Sequence, residues 1–166
     1  MLEVADLKRV YFSGVKMDIK KLQKEIAEDE GVKLEVYHDH LDLPTCGVGH
    51  LILEKDPEYG CEVGTPISQE RCDELFEQDM NSVIKDCKKV YDDWDSMPEE
   101  IQHICANMMF NLGYPRYSGF KKKIQAVKDG DWFEASVQME RSRWYKQVTN
   151  RAKRLIDRMR KFGSTI

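Results

Sequence analysis

Between Val32 and about Glu62 the chain abandons helical periodicity, and this break constrains its fold more than any other feature. Short apolar segments alternate there with Pro, Gly and Asp. Leu34-Glu35-Val36-Tyr37 and Cys46-Gly47-Val48-Gly49 read as strands, with Asp42-Leu43-Pro44 as the turn between them. The expected product is a small antiparallel sheet, too small to stand alone. Around it the apolar residues recur at helical spacing. A helix is predicted from near Asp18, whose carboxylate can cap it, to Gly31, with Ile19, Leu22 and Ile26 on one face. A longer helix is predicted from its cap Ser68 to about Tyr91, carrying Cys72, Leu75, Phe76, Met80, Val83, Cys87 and Val90. It would span about 35 Å, enough to link a sheet lobe to a helical lobe.

The remainder reads as wholly helical. Ser96-Met97-Pro98 opens a segment with Ile101, Ile104, Cys105, Met108 and Leu112 on one face, ended by Gly113. Asp131 and Glu134 match a capping box. Thr149 is the expected cap of a last helix bearing Ala152, Leu155, Ile156, Met159 and Phe162, ended by Gly163. Residues 1–17 show no clear period. The predicted organisation is a leader of unknown order over 1–17, a lobe with a helix and the sheet over 18–67, a connecting helix over 68–91 and a helical lobe over 92–166.

Charge and cysteine usage narrow the classes. With 166 residues and a net charge of −4, the chain is long enough to bury a sizeable core. No apolar run is long enough to span a bilayer, and the first residues lack the basic-then-apolar order of a secretory signal. From Met139 to Ile166, nine Lys and Arg stand against two acids, so this tail is basic and the remainder acidic. Such a tail suits an anionic polymer or, more plainly, a solvated helical face. The five cysteines include no Cys-x-x-Cys pair, which argues against a disulfide framework and a zinc ribbon. Cys72 and Cys87, on one helix, would lie about 22 Å apart. Free thiols acting as small apolar side chains are expected.

The candidate chemistry gathers between Glu30 and His50. Glu30 closes a helix, Asp39 follows in the hairpin, and Thr45 precedes Gly47-Val48-Gly49-His50. Two carboxyl groups suit glycoside hydrolysis, one giving a proton to the leaving oxygen and the other activating water or attacking the sugar. In a chain with 30 acids the pair alone is read more plainly as surface charge. Thr45 can hold a water against Asp39, or be a β-branched strand residue. His50 reads as fixing the turn. In an extended strand His38 and His40 would face away from Asp39, so this run does not make a metal site. Gly47-Val48-Gly49 lacks the glycine, lysine and βαβ context of a phosphate loop and reads as a tight turn.

Several motifs together carry a resemblance. Asp29-Glu30-Gly31, Tyr37-x-Asp39, Thr45-x-Gly47-x-Gly49-His50-Leu51, Asn107-Met108-x-Phe110, Ser142-Arg143-Trp144-Tyr145 and Asn150-Arg151-Ala152-Lys153-Arg154 are similar to the phage-type endolysin family of muramidases, over roughly residues 18–162. The resemblance implies an α+β lysozyme-like fold, with a small sheet lobe joined by a long helix to an all-helical lobe and a cleft between them. It implies cleavage, with inversion, of the β-1,4 bond between N-acetylmuramic acid and N-acetylglucosamine in peptidoglycan. Glu30 would be the general acid, Asp39 the carboxylate that steadies the transition state and orients water, and Thr45 a water-positioning residue. Arg151 would reach the glutamate, with His50 in support, and Leu51 and Phe110 would contact sugar. No cofactor and no metal are expected. Bacterial peptidoglycan is the expected partner, with no nucleic acid and no stable membrane association, and the chain is expected to be a monomer.

The resemblance also implies action during host lysis, from the host cytoplasm through a separate membrane pore or as a virion-borne enzyme. The contrasting expectation is a non-catalytic wall-binding or virion-structural module of the same shape. The chain departs from the family in its first 17 residues and in a short segment between His50 and Thr65. It also departs at Lys123 and Gln138, where relatives place other substrate-contacting polar groups. Trp132 and Trp144 are read as helical-lobe core rather than sugar platforms.

Overall fold

The computed structural model describes residues 17–164. Nearly all of the expected leader lies outside the described residues; Met17, at its end, is buried. The fold is α+β and divides into two compact units, Lys20–Ser82 and Val83–Ile166.

Nearly all of α1 (Ile19–Glu30), which buries Leu22 and Ile26, lies in the first unit, from Lys20 onward. Ile19, expected on the same face, is instead exposed. The helix stops at Gly31, whose φ of 76° is left-handed and whose N–H bonds Ala27 O at 2.9 Å. A three-stranded antiparallel sheet follows, in the order β1 (Lys33–His38), β2 (Pro44–Gly47), β3 (His50–Leu51). The expected second strand is thus two short ones. Gly47 and Gly49, at φ 63° and 59°, turn the chain between them. β1 outlasts its predicted length and the turn after it begins at Asp39, so Asp39 and His40 are turn residues rather than members of an extended strand.

Residues 64–67 cover the outer edge of β1. Gly64 N–H bonds Val36 O, Val36 N–H bonds Thr65 O and Ile67 N–H bonds Leu34 O, with Pro66 opposite Glu35. A proline there leaves the outward edge without a donor. Beneath the sheet, Val36, Cys46, Ile52 and Leu75 form a core flanked by Ile67.

Leu75 belongs to α2 (Gln69–Val90), which begins in the first unit and ends in the second. Ser68 caps it as expected, its Oγ accepting from Arg71 N at 3.0 Å. A short 3-10 turn (Trp94–Ser96) leads to α3 (Glu99–Leu112). Helices α4 (Tyr114–Tyr117), α5 (Lys121–Lys128), α6 (Trp132–Glu140), α7 (Arg143–Gln147) and α8 (Thr149–Ser164) complete the second unit. One buried face was expected of α3; the structure buries His103, Ala106, Asn107 and Met109 as well, so it is enclosed nearly all round. Asp131 caps α6, its Oδ1 accepting from Glu134 N at 3.1 Å. Gly163 does not end the last helix, which runs to Ser164. A Cβ at Gly163 would lie 3.3 Å from Trp132 Cβ and from Phe133 N, so the glycine permits a close approach of α8 to α6. Trp144 is core, its Nε1 donating to Asn111 Oδ1 at 2.7 Å, and Trp132 stacks on Phe162. Much of the basic tail is engaged within the unit: Arg158 forks onto Glu100 at 2.7 and 3.2 Å, and Arg160 meets Glu140.

Candidate active site

Glu30 is the last residue of α1 and rests against the β2–β3 turn. A Cβ built on Gly49 would come within 2.7 Å of Glu30 Oε2, so the missing side chain is what makes room for the carboxylate. The left-handed φ of Gly49 excludes most other residues for a second reason.

Asp39 sits in the β1–β2 turn. Its Oδ1 accepts from Leu41 N at 2.8 Å and from Leu43 N at 2.9 Å, an arrangement in which an aspartate folds its own turn and is itself oriented by it. His38 lies outside this set, its Nδ1 2.9 Å from Asp42 Oδ1 on the surface. Among the described residues, no group of His, Cys, Asp and Glu is arranged to hold a metal ion.

Thr45 stands directly opposite Tyr37 on β1 and Leu51 on β3. Directly opposed residues of antiparallel strands project to the same face, so Tyr37, Thr45 and Leu51 form a row across one side of the sheet. Thr45 is buried, and its hydroxyl donates to Leu43 O at 2.8 Å, leaving the oxygen lone pairs to accept. Leu51, at the end of the row, is 44% exposed, a large apolar side chain open to a ligand.

Tyr37 belongs to the site although it was not among the sequence candidates. Burial raises its phenol pKa, and the negative charges of Glu30 and Asp39 raise it further. Tyr37 is thus within electrostatic reach of both carboxylates. The available signal was the hairpin register: once Asp39 lies in the turn, Tyr37 falls opposite Thr45.

The opposite face of the sheet carries the support. Cys46 pairs with His50 across β2 and β3. Burial pushes the Cys46 thiol up to about 11, so it packs as an apolar group and is no nucleophile. His50 is buried between two carboxylates, with Nδ1 2.7 Å from Asp79 Oδ2 and Nε2 2.8 Å from Asp56 Oδ2. Burial alone would lower its pKa; the bonds to Asp79 and Asp56 outweigh that and raise it. Asp56 also accepts from Leu53 N at 2.8 Å, so the His50 ring ties β3, the following loop and α2 together. The same loop is clamped a second time, Arg71 donating to both oxygens of Glu58 at 2.5 and 3.3 Å.

Glu30, Asp39, Thr45, His50 and Leu51 all lie in the first unit. Phe110 and Arg151 belong to the second. Arg151 is buried, its Nε donating to Asn107 Oδ1 at 2.8 Å and its Nη2 to Asn107 O at 3.4 Å. Phe110, half-buried, follows Asn107 by one turn of α3. Lys123, one of the positions where the sequence departs from the family pattern, is buried in the second unit.

This combination of a three-stranded sheet, a long helix and an α3 enclosed by other helices is a lysozyme-like α+β fold. Residues 27–161 match the phage lysozyme family, and the chain belongs to it. It is 32% identical over 148 residues to the pre-baseplate central spike protein Gp5 of Enterobacteria phage T4, covering 78% of this chain and 26% of that protein. It is 29% identical over 160 residues to probable T4-type lysozyme 2 of Dictyostelium discoideum, covering 83% of this chain and 92% of the relative. It is also 29% identical over 147 residues to the peptidoglycan hydrolase gp36 of Pseudomonas phage phiKMV, of which it spans 16%. The chain thus spans most of one relative and a minor part of the two phage proteins.

Proposed function

We propose that this chain is a muramidase that hydrolyses peptidoglycan at the β-1,4 bond between N-acetylmuramic acid and N-acetylglucosamine, with inversion. The observation that carries the reading is the placement of Glu30 against Gly49, with Tyr37 influenced by both carboxylates and Thr45 in the row beside it. Glu30 gives its proton to the departing glycosidic oxygen. Asp39, turned by two backbone donors, directs a water and offsets positive charge as the sugar flattens toward an oxocarbenium ion. The Thr45 oxygen accepts a hydrogen from that water while its own proton remains on Leu43 O. Leu51 and Phe110 contact sugar. Arg151 and His50 are positioning residues, the latter through its hold on β3.

The test is digestion of purified cell walls. The native protein should release fragments with new reducing ends at muramic acid, and the first-formed anomer should be inverted. Glu30→Gln should lower the rate by at least about a hundredfold, the scale of a lost general acid, and Asp39→Asn nearly as much. Wild-type turnover by Glu30→Gln would remove that residue from the mechanism.

A second reading has one observation in its favour: the match to a central spike protein of which this chain spans 26%. On that reading the chain is a wall-binding or virion-structural module. Binding to walls without release of fragments would support it. Delivery divides the same way, between release from the host cytoplasm through a separate pore during lysis and carriage in the virion.

A further inference from the structure

We propose that Lys123 and Cys105 form a modification site, in which the lysine Nζ and the cysteine Sγ become joined through one inserted oxygen atom. This inference concerns the second unit and does not depend on the proposed hydrolysis. Lys123, on α5, is 1% exposed, and Cys105, on α3, is 0% exposed. Their Nζ and Sγ atoms stand 3.4 Å apart. The amine also donates to the Tyr117 hydroxyl and, at 3.4 Å, to the Tyr91 hydroxyl. The two phenols bond each other at 2.7 Å, and both ring faces lie against the ammonium position.

A buried lysine is ordinarily matched by an acid. Here the groups that face it among the described residues are two phenols and the thiols of Cys105 and Cys87. Burial lowers the pKa of the Lys123 amine. The amine's neutral form, which burial favours, carries a lone pair, and it faces a thiol that itself donates to the Tyr91 hydroxyl at 3.9 Å.

The oxidant is dioxygen, small and apolar enough to enter a site closed to water-borne reagents. The O–O bond breaks. One oxygen forms an N–O and an S–O bond, and the other leaves as water, taking the thiol hydrogen and one amine hydrogen. Nitrogen and sulfur each give up two electrons, the four that reduce dioxygen. The cross-link ties α3 to α5 and closes a loop in the unfolded chain, so the oxidised protein should resist unfolding as a disulfide-bonded one does.

The experiment is mass spectrometry of the whole chain, purified in air and denatured without thiol. The expected mass exceeds the sequence mass by about 14 Da, one oxygen gained and two hydrogens lost, a step on the oxidation chemistry of cysteine. Tryptic digestion should yield the Cys105 peptide joined to the Lys123 peptide, with no cleavage after Lys123. Dithiothreitol in denaturant should restore the sequence mass. Cys105→Ser should lose the added mass and Cys87→Ser should keep it. A wild-type chain that retains the plain sequence mass after exposure to oxygen overturns the proposal. So does a mass lower by two hydrogens, which marks a disulfide, or a gain that survives in Cys105→Ser.

Discussion

Glu30 and Gly49 meet so closely that a Cβ at position 49 would lie 2.7 Å from Glu30 Oε2. Gly49→Ala has two separable effects. The left-handed backbone costs about 1 kcal/mol for a residue with a Cβ. The new methyl group must also displace Oε2, which is the free end of a flexible side chain and moves cheaply. Stability should therefore fall little while wall hydrolysis falls by about a hundredfold, the scale of an ångström's misplacement of a reacting group. Urea unfolding and initial digestion rates measure the two halves, and an unchanged rate would dissociate the Glu30 position from activity. The Gly-x-Gly-His turn was legible in the sequence as a turn. Its pressure on a carboxylate 19 positions earlier was not, because that contact exists only once α1 and the hairpin have packed.

Helix α2 shows what is legible at the scale of an element. Its start at Ser68 and its apolar spacing were both readable, because capping and periodicity are local properties. Ser68→Ala should cost about 1 kcal/mol, read from the urea midpoint, with the hydrolytic rate retained. Strand limits were less legible. The stretch Cys46–Gly49 has the residues of one strand, but two left-handed glycines divide it, and β3 is defined by its pairing with β2 rather than by its own composition. Gly163 misled for a related reason: a glycine that ends a helix and one that lets two helices touch look alike until the neighbour, here Trp132, is in place.

For the molecule as a whole, stability should depend on pH through His50 and Asp56. The folded pKa of His50 is raised above its ordinary 6.5, so its contribution is complete below pH 6.5 and is lost as pH rises through the raised value. The folded pKa of Asp56 is lowered from 3.8: burial opposes this, and the bonds from Leu53 N and His50 overcome it. Its contribution is present above pH 3.8 and disappears as pH falls through the lowered value. Urea midpoints should form a plateau between these limits and fall on the alkaline side. His50→Asn should lower the plateau by about 3 kcal/mol, as breaking a buried ion pair does, and should flatten the alkaline fall; an unaltered pH profile would exclude His50 as its source. The net charge and the basic tail could be counted from the chain, yet counting does not reveal that Arg151 is buried on Asn107 or that Arg158 is held by Glu100. The sequence by itself determined the longer helices, the caps at Ser68 and Asp131, the presence of a small sheet and the family, because these rest on local spacing and residue type. Only the tertiary structure decided which charges pair, which face of the sheet Tyr37 shares with Thr45, and that Lys123 is enclosed with Cys105. Each of these depends on distances between residues remote in the chain, and packing alone sets those distances.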